Sequence, residues 1–250
     1  MTISNAQPIQ FWLIDEDTFN ETEVEGINHT CWCQPFNCDQ EIPVEVTDTE
    51  GLTYQLDILE GEDVIETLDL EEVENGLYRL IFNHDDITPE ICNTKIAYQL
   101  KKNSVSVYKS DCAHVKTNHS NTVLIEYWNN RNFAGLVYSD TSPVTHFFLR
   151  VPCVFFHNRF PQEDKAFERT SSTVITASKI KKQRLMQIEH APDYFHEKLL
   201  LALTHHNVLI DGKYWKKEEA YEKDEGDIKY PLKKATVWLT EKNSPVRNVL

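Results

Sequence analysis

The sequence predicts a mainly β fold with two units. An N-terminal antiparallel β-sandwich is expected over residues 1–105, followed over 106–250 by an α+β domain in which one long helix packs on an antiparallel sheet. Three observations predict this: short runs in which apolar and polar residues alternate, turn-forming pairs between those runs, and a single stretch with helical periodicity. With 250 residues, 40% of them hydrophobic, the chain can bury the cores of two such units.

The alternating runs lie between residues 42 and 100. In YQLDIL, Tyr54, Leu56 and Ile58 fall on one face of a strand, and LYRLIF repeats the pattern around Arg79. The pairs that separate the runs are Glu50-Gly51, Glu60-Gly61 and Asn75-Gly76. Strands that recur about every 10–15 residues with turns between them predict a small antiparallel sandwich.

The second unit is predicted from four segments, after a connection over residues 101–112. The strongly apolar FFLRVPCVFF favours a central strand or one in a subunit interface, and Pro152 within it favours a bulge or an edge. Residues 192–206 predict the helix, because their apolar residues recur at helical spacing after a proline near the first turn. Those residues are Tyr194, Phe195, Leu199, Leu200 and Leu203. Asp211-Gly212 predicts a hairpin, and ATVWLTEK a last strand.

The charge of the chain is divided unequally. The net charge is −15, but residues 1–110 carry 23 acidic and 5 basic residues, a net of −18, whereas residues 111–250 carry 17 and 20, a net of +3. An acidic half disfavours nucleic acid and anionic membranes as partners. No apolar run approaches the roughly 20 residues of a membrane span. The first residues lack the features of a signal peptide, so synthesis and folding in a cytoplasm are expected.

The motif CWCQPFNC, residues 31–38, has three interpretations. A zinc site is the first, but zinc-binding cysteines usually come as C-x2-4-C, whereas Cys31, Cys33 and Cys38 are spaced C-x-C-x4-C. His29, Asp39 or Cys92 would have to complete the ligand set.

A disulfide from Cys31 or Cys33 to Cys38 is the second interpretation, and a reducing cytoplasm disfavours it. The third is a packed loop in which Trp32 and Phe36 anchor a turn while the thiols fill gaps beside them. We favour the packed loop, and therefore expect no bound metal.

No motif predicts catalysis. The chain lacks G-x-G-x-x-G, P-loop and G-x-S-x-G patterns. Cys112 or Cys153 could pair with one of ten histidines, but no familiar signature flanks either cysteine. His190, His196 and His205 lack the i, i+4 spacing of a metalloprotease helix. We expect that the chain is not an enzyme, has no catalytic residue and binds no cofactor.

Several segments taken together resemble a poorly characterised protein family. They are HTCWCQPFNCDQEIPVEV, YWNNRNFAGLVY, FFLRVPCVFFHNRFPQED, IKKQRLMQIEHAPDYFHEKLLLALTHHNVLIDGKYW, PLKKATVWLTEKN and RNVL. The family occurs in tailed phages and prophages of Bacteroidetes bacteria, where its members look like virion structural proteins of the tail region. The resemblance extends from about residue 29 to the end of the chain and includes no catalytic motif.

The resemblance implies a non-enzymatic virion protein in a ring, collar, adaptor or baseplate position. Such a protein would act by oligomeric assembly with its own copies and with other virion tail proteins, in the virion, after synthesis in the cytoplasm of the bacterial host. The interface residues expected from the apolar strand and the C-terminal tail are Phe147, Phe148, Leu149, Phe155, Phe156, Val246, Val249 and Leu250. The alternative is a sugar-binding accessory β-sandwich module on the particle surface, because aromatic residues such as Trp128 could form a platform for sugar rings.

Overall fold

The structure, a computed structural model, describes residues 1–14, 32–74, 76–87, 91–138, 145–169, 172–224 and 232–242. Within these ranges the fold is mainly β, with antiparallel sheets and one α-helix. The predicted fold class is confirmed. The helix, α1, spans Asp193–Thr204 and lies inside the predicted range 192–206.

Nine strands form the N-terminal sheet. They are β1 Phe11–Leu13, β2 Gln34–Asn37, β3 Ile42–Thr47, β4 Tyr54–Glu60, β5 Asp63–Glu74, β6 Leu77–Phe82, β7 Lys95–Lys102, β8 Val105–Ser110 and β9 Ala113–Lys116. The order is β1-β8-β7-β4-β5-β6-β3, and β9 joins β2 to β7. The β2–β9 pair is parallel, which the sequence analysis did not predict. The first part of β5 pairs with β4 and its last residues pair with β6, so β5 belongs to both parts of the sheet.

The side chains between these strands form one core. Tyr54, Leu56 and Ile58 are fully buried in it, as the alternation predicts. Asp57 is also fully buried although it points to the other face of β4. Its carboxylate forms an ion pair with Lys101 and accepts a 2.7 Å hydrogen bond from the hydroxyl of Thr67. Pairing of this kind offsets the desolvation of a buried charge.

The C-terminal strands form a closed barrel and a separate hairpin. The barrel strands are β10 Thr122–Trp128, β11 Phe147–Arg159, β14 Gln183–Ala191, β15 Asn207–Ile210, β16 Lys213–Lys217 and β18 Lys233–Glu241. They pair in the order β14-β11-β10-β15-β16-β18, and β18 pairs back onto β14. The short strand β17, Glu222–Lys223, pairs with β18. The strands β12 Gln162–Arg169 and β13 Ser172–Ile180 form the hairpin.

Helix α1 packs on the barrel through one face. Phe195, Leu199, Ala202 and Leu203 are buried in the barrel core. The prediction that Leu200 shares this role is corrected, because Leu200 is only half-buried. The reason is geometric: Leu200 lies 100° around the helix axis from Leu199, on average, and so falls at the border of the buried stripe.

The sheets divide at a later residue than the predicted unit boundary. Residues 101–102 end β7, and β8 and β9 follow in the same sheet as far as Lys116, about ten residues beyond position 105. The first residues of the chain contact both cores, since Ala6 lies in the barrel core and Ile9 in the sandwich core. Whether the two sheets fold as independent units stays a prediction.

Candidate assembly surface

The hairpin β12–β13 extends the barrel as an arm, defined here as residues 162–180. Its register runs from Gln162 opposite Ile180 to Arg169 opposite Ser172, with a shift between Lys165 and Ala166. In the part of the chain that the structure describes, neither strand pairs with any strand except the other. Eight residues of extended chain span about 26 Å, which is the approximate length of the arm.

Polar contacts hold the base of the arm against the barrel wall. The guanidinium of Arg159 donates a 2.6 Å hydrogen bond from Nε to the side chain of Gln183, pairs with Glu219 and lies 3.8 Å over the ring of Trp238. Gln183 in turn donates to the hydroxyl of Thr240 at 2.9 Å. The backbone N–H of Lys181 donates to the carbonyl of Pro161 at 3.0 Å. The arm therefore leaves the barrel from a well-fixed base.

Exposed aromatic side chains lie beside this base. Phe160 is 60% exposed and Phe156 is 39% exposed. Phe160 also lines an open cleft of about 590 Å³ together with Pro161, Glu218 and charged neighbours. Aromatic residues are enriched in protein–protein interfaces, so these two rings are the candidates for a contact surface at the root of the hairpin.

The predicted interface residues occupy three kinds of position. Phe147 and Leu149 are fully buried in the barrel core, so they are core residues and not surface residues as the sequence analysis expected. Phe148 and Phe155 are half-buried, and the ring of Phe155 stacks on Trp215 with 6.1 Å between centroids. Phe156 is exposed.

The remaining predicted interface residues, Val246, Val249 and Leu250, lie outside the described residues. Phe160 is not among the predicted interface residues, and no strand was predicted at residues 162–169. A signal for the arm was present, because the polar run PQEDKAFER and the β-branched run STVITAS flank the short polar segment at 170–171.

The cysteine motif is not a loop with free thiols, and that interpretation is corrected. Cys33 is bonded to Cys112 and Cys38 to Cys92. Cys31 lies outside the described residues. Local spacing could not show these pairs, because each partner is 54 to 79 residues away and reaches the motif only through the pairing of β2, β9 and β7.

The aromatic anchors of the motif are partly as predicted. Phe36 is buried in the sandwich core beside His84 and Tyr98. Trp32 instead packs against α1, with its ring 4.9 Å from that of Phe195.

A cluster of three residues of metal-ligating types and one buried histidine lie beside the motif. The ligand atoms of Cys38, Asp85 and Cys92 lie within 4.8 Å of one another. Metals bind cysteine as the thiolate, so these sulfurs are not ligands while they are bonded to each other. Burial lowers the pKa of His84 to about 4, and His84 Nε2 lies 2.7 Å from the hydroxyl of Tyr98. A histidine held neutral in this way is part of the core.

A buried lysine joins the N-terminal segment to the barrel. Lys198, on α1, is 1% exposed, and its ammonium group donates to the carbonyls of Asn5 at 2.9 Å and Gln7 at 2.5 Å. Burial lowers its pKa to about 7. The hydroxyl of Tyr127 in the barrel also donates to the carbonyl of Ala6. These contacts fix the start of the chain between the two cores.

A second set of polar contacts links the sandwich and the barrel side of the molecule. Glu45 forms an ion pair with Arg79, and both side chains contact the backbone of Val137. Burial raises the pKa of Glu45, while the guanidinium of Arg79 acts in the opposite direction. Gln40 and Arg150 add a contact between the halves, at 3.4 Å.

Comparisons with known proteins give no relative. No protein-family model, curated protein or solved structure matches the chain. Among the described residues, the one α-helix is too short to cross a membrane.

Proposed function

We propose that this protein is a non-enzymatic structural component of the tail region of a phage virion, in a ring, collar, adaptor or baseplate position. It acts by oligomeric assembly, with its own copies and with other virion tail proteins. The observation that carries the proposal is the arm, residues 162–180, whose strands pair only with each other within the described chain. The assignment to a phage tail rests on the resemblance of the sequence segments to virion proteins.

The arm would gain stability from a partner. An isolated two-stranded hairpin is marginally stable in water and needs a further surface to pack against. The arm has a well-fixed base with exposed Phe156 and Phe160 beside it. A neighbouring subunit that covers the arm and these rings would stabilise the hairpin and remove apolar surface from water.

Charge supports protein partners. The net charge of −15 opposes binding to nucleic acid and to anionic membranes. The acidic N-terminal half faces solvent or a basic neighbour in the particle, and the C-terminal half, with a net charge of +3, contributes the contacts between subunits.

The sugar-binding alternative has less support from the aromatic side chains. The ring of Trp128 is stacked on His146 at 4.2 Å between centroids, and Phe147 is in the core. A sugar platform needs a free ring face. Trp128 is half-buried and His146 covers one face of its ring, so at most the other face could take a sugar.

The experiment is to replace residues 163–179 by a short glycine-containing turn and to score incorporation of the chain into purified particles. Val105→Asp is the control, because Val105 is 64% exposed in the N-terminal sheet, far along the chain from the arm. We expect the arm deletion to keep the circular dichroism of a folded β protein and to be lost from particles, while the control is incorporated. Normal incorporation of the deletion would contradict the proposal.

A further inference from the structure

Two disulfides enclose a single short strand. Cys33 precedes β2 and is bonded to Cys112, and Cys38 follows β2 and is bonded to Cys92. Among the described strands, β2 pairs with β9 alone, over four residues. We call residues 33–38 the strap. Both of its ends are thus tied covalently to distant parts of the sandwich.

The strap also has noncovalent contacts that do not require the disulfides. Phe36 is buried in the core, and the side chain of Gln34 donates to the carbonyl of Pro8 at 2.9 Å. The backbone N–H groups of His84 and Asp85 donate to the carbonyl of Cys38 at 2.9 and 3.1 Å. These contacts can hold the strap in place when the thiols are reduced.

Neither disulfide has both of its residues buried. Cys38 is buried, but its partner Cys92 is half-exposed, and Cys33 and Cys112 are both half-exposed. Thiol–disulfide exchange needs access to only one sulfur of a pair for the first attack. Neither bond is enclosed in the core as the free thiol of Cys153 is.

We propose that the strap is a redox-controlled lock on the sandwich. With the four thiols reduced, the strap is held by noncovalent contacts and opens locally. Oxidation of the two pairs closes it. The timing in the cell rests on the proposed function: the chain is reduced in the cytoplasm where it is made and is oxidised after particle release.

The chemistry of closure is ordinary exchange with a small-molecule disulfide such as oxidised glutathione. One cysteine thiolate attacks that disulfide, forms a mixed disulfide and releases one small thiolate. The second cysteine thiolate then attacks the mixed disulfide, forms the protein disulfide and releases the second small thiolate. Each pair loses two protons and two electrons, and the small disulfide is reduced to two thiols.

The test compares purified full-length protein treated with a phosphine reductant and with oxidised glutathione. Hydrogen exchange and thermal unfolding are measured on both forms, and peptide mapping identifies the pairs. We expect both forms to be folded, with amide exchange at Gln34, Phe36, Asn37 and residues 113–116 faster in the reduced form by about tenfold or more. The unfolding temperature should fall by about 5–15 °C, because two long loops are no longer closed. Oxidised glutathione should restore both properties.

Two double variants separate the bonds: Cys33→Ser with Cys112→Ser, and Cys38→Ser with Cys92→Ser. Each should show part of the effect, whereas Cys153→Ser should keep the full redox response. Three results would each contradict redox control of the strap: equal amide exchange in the two forms, a reduced chain that does not fold, or different cysteine pairs.

The timing is tested separately by alkylating free thiols in cell lysate and in particles. Disulfides already complete in the cell would overturn the proposed timing. The measurements on purified protein do not depend on particles, so they distinguish failure of the lock from failure of the proposed function.

Discussion

At the scale of single residues, burial decides between core and contact surface along one strand. β11 is buried at Phe147 and Leu149, where β10 pairs with it, and becomes exposed at Phe156, beyond the end of that pairing. The sequence shows only that FFLRVPCVFF is apolar throughout. It could not show where the strand leaves the barrel, because that depends on which neighbouring strand ends first.

We predict that Phe156→Asp and Phe160→Asp weaken self-association without lowering the unfolding temperature by more than a few degrees. Both side chains are exposed, so a charge there is hydrated in the monomer and is desolvated only in a contact. Phe147→Asp is the matched comparison, and it should unfold the barrel because Phe147 is fully buried. Thermal unfolding and sedimentation velocity measure the two effects. Unchanged association in both exposed variants would show that these rings are not part of the contact surface.

Leu199 and Leu200 offer a matched pair on α1. Leu199→Ala should lower the free energy of unfolding by about 2–5 kcal/mol, because a buried side chain is replaced by a cavity. Leu200→Ala should have a smaller effect, since Leu200 is half-buried. Chemical denaturation of the two variants measures the difference. Equal losses, or a larger loss at Leu200, would contradict the orientation of the helix described here.

Lys198 should make stability depend on pH. Its pKa is lowered to about 7 in the folded chain by burial, whereas a lysine in an unfolded chain has a pKa of about 10.4. Between pH 7 and about 10, Lys198 is protonated in the unfolded chain and neutral in the folded chain. Stability attributable to Lys198 therefore rises with pH from about 7 to about 10 and is lowest below pH 7.

The measurement is the difference in unfolding free energy between the natural chain and Lys198→Met across that range. We expect this difference to shift in favour of the natural chain by a few kcal/mol in total. A difference that does not change with pH would show that Lys198 stays protonated on its carbonyl acceptors throughout.

At the scale of elements, local sequence patterns predicted the features that depend on residues close together in the chain. The face of β4, the turn at Asp211-Gly212 and the helix near 192–206 follow from alternation, turn propensity and helical spacing. The first strand of the arm was missed although the arm is a local hairpin, with paired residues 3 to 18 positions apart, because the run PQEDKAFER is mostly polar. The β2–β9 pair was missed because it depends on contacts between residues far apart in sequence. The disulfides were missed for the same reason: Cys33 meets Cys112 only after the parallel pair has formed.

At the scale of the whole molecule, the sandwich and the barrel share the first ten residues and several buried polar contacts. Residues 1–105 omit β8, the partner of β1, and β9, the partner of β2. They also omit Cys112. The unit that the structure outlines at the N-terminus is therefore residues 1–116.

We expect a fragment of residues 1–116 to unfold in a cooperative transition and a fragment of 1–105 to lack one. The longer fragment completes both strand pairs and both disulfides, although it loses the contact of Lys198 with the carbonyl of Gln7. Denaturation followed by circular dichroism and fluorescence compares the two. A cooperative transition in 1–105 would show that β8 and β9 are dispensable for the sandwich.

The central claim is that the chain acts by assembly through the arm, and sedimentation velocity of the purified protein tests it most directly. The account predicts concentration-dependent self-association of the full-length chain into a discrete oligomer, and a monomer at every concentration when residues 163–179 are replaced by a short turn. A full-length chain that stays monomeric throughout, or an arm-deleted chain that associates equally well, would contradict it.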